Sequence, residues 1–293
     1  MLCCMADNGL TFKAGKLGRA LRETRTGLGI TLTDFAKQVG IDKGKLSKIE
    51  TGKLPKPPAE EEVARILGAL GVNGDKYDEI MRIAHGAPAS QWTATTPSDR
   101  ELMNSAVIDA EAAALEIVAG ALILIPGLAQ KLSYARAIMS GGTVPRAEIS
   151  TRVATRVGRS NVIDPSRTAQ PAKYTAIIDE AALRRQVGGP TVMIEQLEYL
   201  EQLAAWDNTE IRVVPFKAGW YPGASGAFEL IEPRDPSDLP LVYLEDRSSG
   251  RLLHADEDVA EYREAVAAGL RAAMKPAESL ELIAAVINEM RTG

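Results

Sequence analysis

The stretch that most constrains this 293-residue chain runs from Thr31 to Glu50. Thr31 is an N-cap residue, and behind it Leu32-Thr-Asp-Phe-Ala-Lys-Gln-Val39 places Phe35, Ala36 and Val39 on one helix face that Gly40 closes. A Gly40-Ile41 turn leads to Asp42, a second N-cap, and to the helix Lys43-Gly-Lys-Leu-Ser-Lys-Ile-Glu50, stopped by Thr51-Gly52. Ile41, Leu46 and Ile49 point to a core, while Lys43, Lys45, Ser47 and Lys48 stay on the outward face. Ala36 is small where the two helices approach. Two short capped helices around a glycine turn are a helix-turn-helix layout. Upstream, Leu17 to Arg25 has helical spacing and ends at Gly27 and Gly29. Downstream, Pro55, Pro57 and Pro58 break the chain, then Ala59 to Leu70 and Lys76 to Ala84 predict two more helices. The expectation is an all-α, five-helix domain over residues 11–86.

Charge sharpens this reading. The formal net charge is −5, but between Thr11 and Lys53 ten Lys and Arg stand against four Asp and Glu, giving +6. Residues 1–10 contribute −1 and the chain from Leu54 onward −10. A basic head on an acidic body has the electrostatic footprint of a phosphate-backbone binder. Charge alone fits a solvated basic face equally well; the helix pattern decides between them.

Residues 17–53, LGRALRETRTGLGITLTDFAKQVGIDKGKLSKIETGK, resemble an Xre/Cro-type helix-turn-helix domain. The shared elements are an Arg-bearing first helix, T-x-x-x-[L/F]-A-x-x-x-G and S-x-[I/W]-E-x-G. The resemblance implies a structural ion pair between Arg25 and Glu50. It also puts the start of the second helix in the major groove, with Lys43, Gly44, Ser47 and Lys48 facing bases. Lysines donate to guanine edges and Gly44 permits close approach. Arg19, Arg22, Thr31 and Lys45 are the candidates for phosphate contacts, which position without specifying. One such head covers one half-site. The resemblance thus implies double-stranded DNA as the partner, with a near-palindromic operator read by a homodimer whose heads are expected about 34 Å apart.

The stretch Gly86–Arg100, rich in Pro, Ser and Thr, reads as a linker (87–100), followed by a separate α+β domain over 101–293. Ala-rich Asp109–Ile125 predicts a helix that stops at Pro126-Gly127. Its most apolar part, Ala112 to Ile125, contains Glu116 and falls short of the roughly 20 residues a membrane span needs. Leu128–Met139 predicts another helix. Beyond it come a strand at Lys173–Asp179, a short helix at Glu180–Gln186 and an amphipathic helix at Thr191–Trp206. Strands at Ile211–Phe216, Gly226–Ile231 and Leu241–Glu245 precede helices at Val259–Met274 and Ser279–Met290. Four strands among helices make an α+β domain.

The body carries its own ordered motifs: Ile125-Pro-Gly-Leu-Ala-Gln-x-x-x-Tyr-Ala-Arg136, Ile178-Asp-Glu-Ala-Ala-Leu-Arg-Arg185, Gly188-Gly189, Gln196-Leu-x-x-Leu200, Val213-Val-Pro-Phe-Lys-Ala-Gly219, Gly226-Ala-Phe228 and Val242-Tyr-Leu-Glu245. These resemble actinobacterial transcriptional regulators that join an Xre-type head to an antitoxin-like C-terminal domain of unknown function. Ala129, Lys131 and the Arg156…Arg159 segment depart from that pattern. The resemblance implies a regulator whose body dimerises and senses a ligand or a small acidic protein encoded beside it. The alternative it implies is an antitoxin-like protein that chiefly neutralises such a partner.

Catalytic chemistry finds little support. Cys3, Cys4, His85 and His254 are too few for a disulfide framework, a zinc ribbon or haem attachment. No nucleophile triad or phosphate loop stands in the sequence, so no metal, cofactor or enzymatic activity is expected. Asp179-Glu180 and Glu245-Asp246 are paired acids at strand ends, but a helix cap and a turn explain them. Trp220 and Tyr221, in the Gly219–Gly226 loop, are candidate contacts for a ligand or partner, weighed against half-buried loop packing. The N-terminus lacks a signal-peptide layout, and a cytoplasmic setting without membrane contact is expected. Cys3 and Cys4 are a minor candidate for reactivity, and Met5 for an alternative start.

Overall fold

The computed structural model describes residues 12–54, 58–84, 91–94, 97–142, 144–236, 238–245 and 250–292. Cys3, Cys4, Met5, Pro55, Pro57, His85, residues 86–90 of the expected linker and Asp246 lie outside the described residues. The chain divides into two units, Met1–Trp92 and Thr93–Gly293.

The first unit is helical: α1 (Phe12–Gly27), α2 (Leu32–Val39), α3 (Lys43–Glu50), α4 (Glu60–Ala69) and α5 (Gly74–Ala84). The expected helix starts and stops hold because each has a local cause. Thr31 and Asp42 cap α2 and α3 through their side chains, and Gly40 ends α2 at φ 65°. Leu17 and Leu21 of α1, Phe35 of α2, Leu46 of α3 and Val63, Ile66 and Leu67 of α4 are all at most 1% exposed and fill one core. Gly18 sets how closely α1 meets the end of α3. A Cβ there would run into the carbonyl oxygens of Ile49 and Glu50.

The second unit is built on a mixed sheet. After β1 (Gln91–Thr93), at the division between the units, come α6 (Pro97–Ala112), β2 (Ala114–Ala121), α7 (Leu132–Gly141) and α8 (Arg146–Arg159). Then follow β3 (Lys173–Asp179), α9 (Glu180–Arg184), α10 (Pro190–Ala204) and β4 (Thr209–Val214). The chain ends with β5 (Phe228–Pro233), β6 (Leu241–Glu245), β7 (Gly250–Leu253), α11 (Asp256–Ala272) and α12 (Pro276–Thr292). The sheet order is β1-β7-β6-β5-β2-β3-β4. β2, β3 and β4 run parallel, and the β2–β5, β5–β6 and β6–β7 pairs are antiparallel. One face carries Val118, Ile177, Val214, Phe228, Leu230 and Val242 against α11. Glu229 alternates with Phe228 and Leu230, and Arg159 of α8 reaches it. On that opposite side α6 packs on β2, β5 and β7, α10 packs on β4, and α8 packs against α7.

One expectation is overturned. The run Ala112–Ile125 is no buried helix; α6 ends at Ala112 and Ala114–Ala121 is strand β2. A central strand buried on both faces shows no alternation, so its short apolar run cannot be told from a helix by periodicity. Pairing with β3 on one side and β5 on the other overrides the helix preference of its alanines. Gly120 fits this place because a Cβ there would strike the Phe228 ring. The four expected strands become seven with β1, β2 and the hairpin strand β7. Helix α7 begins at Leu132, after a short 3-10 turn at Gly127–Ala129. Inside the stretch read as a linker, β1 and the first turn of α6 are regular structure.

Gly18→Ala is expected to destabilise the helical unit by about 1–3 kcal/mol, because backbone carbonyls cannot yield as a side-chain tip would. Urea unfolding of the full chain followed by circular dichroism measures this.

Candidate nucleic-acid interface

The head is organised around a charge that has left water. Arg25, on the last turn of α1, is 7% exposed, and Glu50, at the end of α3, is 6% exposed. Arg25 Nε donates to Glu50 Oε1 at 2.7 Å and Nη2 donates to Oε2 at 2.8 Å. Its Nη1 donates to the Ile30 carbonyl at 2.6 Å, tying the α1–α2 turn into the same knot. The hydrogen bond to Glu50 raises the Arg25 guanidinium above its already high ordinary value, so Arg25 stays charged. A planar fork on a carboxylate fixes orientation as well as distance, and so holds α3 against α1.

The caps aim what remains outside. Thr31 Oγ1 donates to Asp34 Oδ2 at 2.7 Å and accepts from the Asp34 amide at 3.2 Å. Asp42 Oδ1 accepts from the Lys45 amide at 2.9 Å. Thr31 is thus a cap as well as a candidate phosphate contact. With Leu46 and Ile49 buried, Lys43, Gly44, Lys45 and Lys48 are exposed and Ser47 is half-buried. Arg19 and Arg22 are exposed on α1. Lys45 bends toward α4, its Nζ 2.6 Å from Glu62 Oε1, so Glu62 holds one of the candidate phosphate ligands. Sequence reasoning missed that partner; an acid 17 residues away in another helix leaves no local signal.

In the body, the quoted motifs gather at the edge where the parallel strands end, and most act as staples. The Tyr134 hydroxyl accepts from the Ile125 amide at 3.1 Å, and Gln130 Nε2 donates to the Ile125 carbonyl at 2.7 Å. Gln196 Nε2 donates to the Ala129 carbonyl and its Oε1 accepts from the Lys131 amide, both at 2.7 Å. Asp179 caps α9 through the Ala181 amide at 2.9 Å. Glu180 accepts from the Phe216 amide at 2.9 Å and pairs with Arg184 at 2.7 Å. Burial pushes the Glu180 carboxyl up, but that amide and Arg184 outweigh it and hold it below the usual carboxylate range. Glu245 lies 3.6 Å from Arg156.

The structure separates Trp220 from Tyr221. Trp220 is 77% exposed, whereas Tyr221 is 6% exposed and its ring lies under Gly223 and Gly269 in the α11-side core. Burial pushes the Tyr221 hydroxyl up to about 12. Beside this loop is a groove of about 420 Å³ floored by Phe228, Tyr262 and Ala265 and rimmed by Glu261, Glu264 and Arg271. Among the described residues, no group of three or more His, Cys, Asp or Glu is placed to hold a metal ion. No described helix is long and apolar enough to cross a membrane.

Two family models match. One, described as "Domain of unknown function (DUF5753)", covers residues 105–285, more than half of the chain. The chain belongs to this family. The second, "Helix-turn-helix domain", covers residues 16–80, the helical unit that precedes the DUF5753 region. Over 63 residues the chain is 36% identical to an uncharacterized HTH-type transcriptional regulator of Acanthamoeba polyphaga mimivirus. That similarity takes in 21% of this chain and 28% of the viral protein. No solved structure matches the chain.

Glu50→Ala is expected to cost the helical unit about 3–5 kcal/mol, since it strands Arg25 in the core. Thermal unfolding of the full chain measures the loss. Trp220→Ala is expected to leave stability within about 0.5 kcal/mol, whereas Tyr221→Ala costs about 3–5 kcal/mol. Chemical denaturation of the two variants side by side separates these outcomes.

Proposed function

We propose that the chain is a sequence-specific, DNA-binding transcriptional regulator and not an enzyme, acting in the cytoplasm. The observation that carries this reading is the capped α2–turn–α3 unit, locked by Arg25–Glu50, with Lys43, Gly44 and Lys48 exposed on one surface. Residues 11–86 serve as the DNA-binding domain, 87–100 as linker and 101–293 as regulatory domain. The first turns of α3 enter the major groove, where Lys43, Ser47 and Lys48 read base edges and Gly44 lets the backbone approach. Arg19, Arg22, Thr31 and Lys45 hold phosphates, with Lys45 exchanging Glu62 for the nucleic acid. The complex is a homodimer on a near-palindromic operator. The DUF5753 domain dimerises and receives the signal, a small acidic protein or a small ligand, with exposed Trp220 as a contact.

Base readers and phosphate holders differ in a measurable way. Lys43→Ala with Lys48→Ala is expected to weaken the preferred duplex over a random one by about 1–3 kcal/mol per lost base contact. Arg22→Ala is expected to weaken both duplexes alike and to reduce the salt slope by about one. Fluorescence anisotropy across a salt series reads both. An unchanged preference in the double variant means that α3 is not the reading helix.

A further inference from the structure

Buried charge in the second unit concentrates between β5 and the helices α6 and α8. Glu111, in the last turn of α6, is 1% exposed and is gripped by Arg159, Nε to Oε2 at 2.8 Å and Nη2 to Oε1 at 2.5 Å. The same Nη2 lies 3.6 Å from Glu229 Oε2, too far for a hydrogen bond. Glu229 stands on β5 opposite Tyr243 of β6 and Ala119 of β2. Its Oε1 is buried without a hydrogen-bond partner. Tyr174 of β3 is 1% exposed, its hydroxyl is equally unpartnered, and it is close enough to feel the charge of both acids. Among the described residues, Glu245 of β6 and Arg156 of α8 also lie beside this cluster and pair with each other at 3.6 Å. Two carboxylates facing one guanidinium leave one excess negative charge in a site where Glu111 is fully buried and Glu229 is 13% exposed. A buried charge without a partner is costly, and the group neutralises instead.

We propose that this cluster is a proton-binding site: the folded domain holds one proton between Glu111 and Glu229, and its release loosens α6 and α8 from the sheet. Burial first, and the neighbouring Glu111 second, push the Glu229 carboxyl well above the usual range, with Arg159 opposing them. Arg159 is engaged at both Glu111 oxygens and stands 3.6 Å from Glu229, so one guanidinium faces two carboxyls and can neutralise one. Arg159, taken up by Glu111, stays charged; its own value is raised despite burial. Burial likewise raises the Tyr174 and Tyr243 hydroxyls, so neither tyrosine ionises before Glu229 does. The device acts where it matters for signalling, because α6 is the first helix of the second unit and the chain from the head enters through it.

The sign follows from proton counting. An unfolded glutamate releases its proton near about pH 4.3, whereas the folded domain keeps it to higher pH. The folded state therefore binds more protons, and stability falls as pH rises from the unfolded value to the folded one, where the loss is complete. The test is thermal unfolding of the full chain from about pH 5 to about pH 9, wild type against Glu229→Gln. Glutamine keeps the size and a donor but carries no charge. The wild-type folding constant is expected to fall by up to about tenfold per pH unit relative to the variant within that window. Parallel profiles overturn the proposal. Should Glu229→Gln not fold, infrared spectra of the wild type at neutral pH decide. A protonated-carboxyl stretch that shifts in heavy water supports the site, and its absence overturns it.

Discussion

Arg25 and Glu50 carry the helical unit. Each would be expensive to bury alone, and together they form a two-point lock that holds the end of α1 on the end of α3. The third donor of Arg25 fixes the Ile30 carbonyl and thereby the start of α2. Gly18 allows the backbone contact that brings the two charges into range. The position and tilt of α3, and with them the direction in which Lys43 and Lys48 point, follow from this knot more than from the apolar core. A Leu or Ile core holds helices together; a bidentate ion pair also fixes their rotation.

The second unit rests on β2. It is the strand where parallel pairing toward β3 changes to antiparallel pairing toward β5. Helices cover it on both sides, α11 on one and α6 on the other. On the second side the layer turns polar over β5 and β6, where Glu229 and Tyr243 replace aliphatic residues. The motif loops collect where the parallel strands end, and their side chains mostly satisfy backbone groups there. The recurring Gln and Tyr of these motifs are thus accounted for by hydrogen bonds to the main chain.

The head was legible in the sequence because its signals are local. Thr31, Gly40 and Asp42 act within a few residues of where they stand, and the structure places helix boundaries beside them. The Arg25–Glu50 pair was implied by the resemblance and is present. The body was legible where strands alternate or helices are amphipathic, as at β3 and α10. It was opaque at β2, whose burial on both faces erases the alternation. Long-range charge was equally hidden. Nothing near Glu111 announces Arg159, and nothing near Lys45 announces Glu62. Trp220 and Tyr221 stood together in the sequence, yet backbone direction sends one to water and the other to the core.

The chain thus joins a basic helix-turn-helix unit to an acidic DUF5753 domain with a buried polar layer. An acidic body disfavours contact with phosphates, which on the proposed reading would leave DNA contact to the head. The measurement that bears most directly on this account is selection of duplexes from a random pool by the purified full-length chain at fixed salt. The account predicts enrichment of one motif with two-fold symmetry, its half-sites about one helical turn, roughly 34 Å, apart. Recovery of duplexes without a common motif, or of none above background, would contradict it.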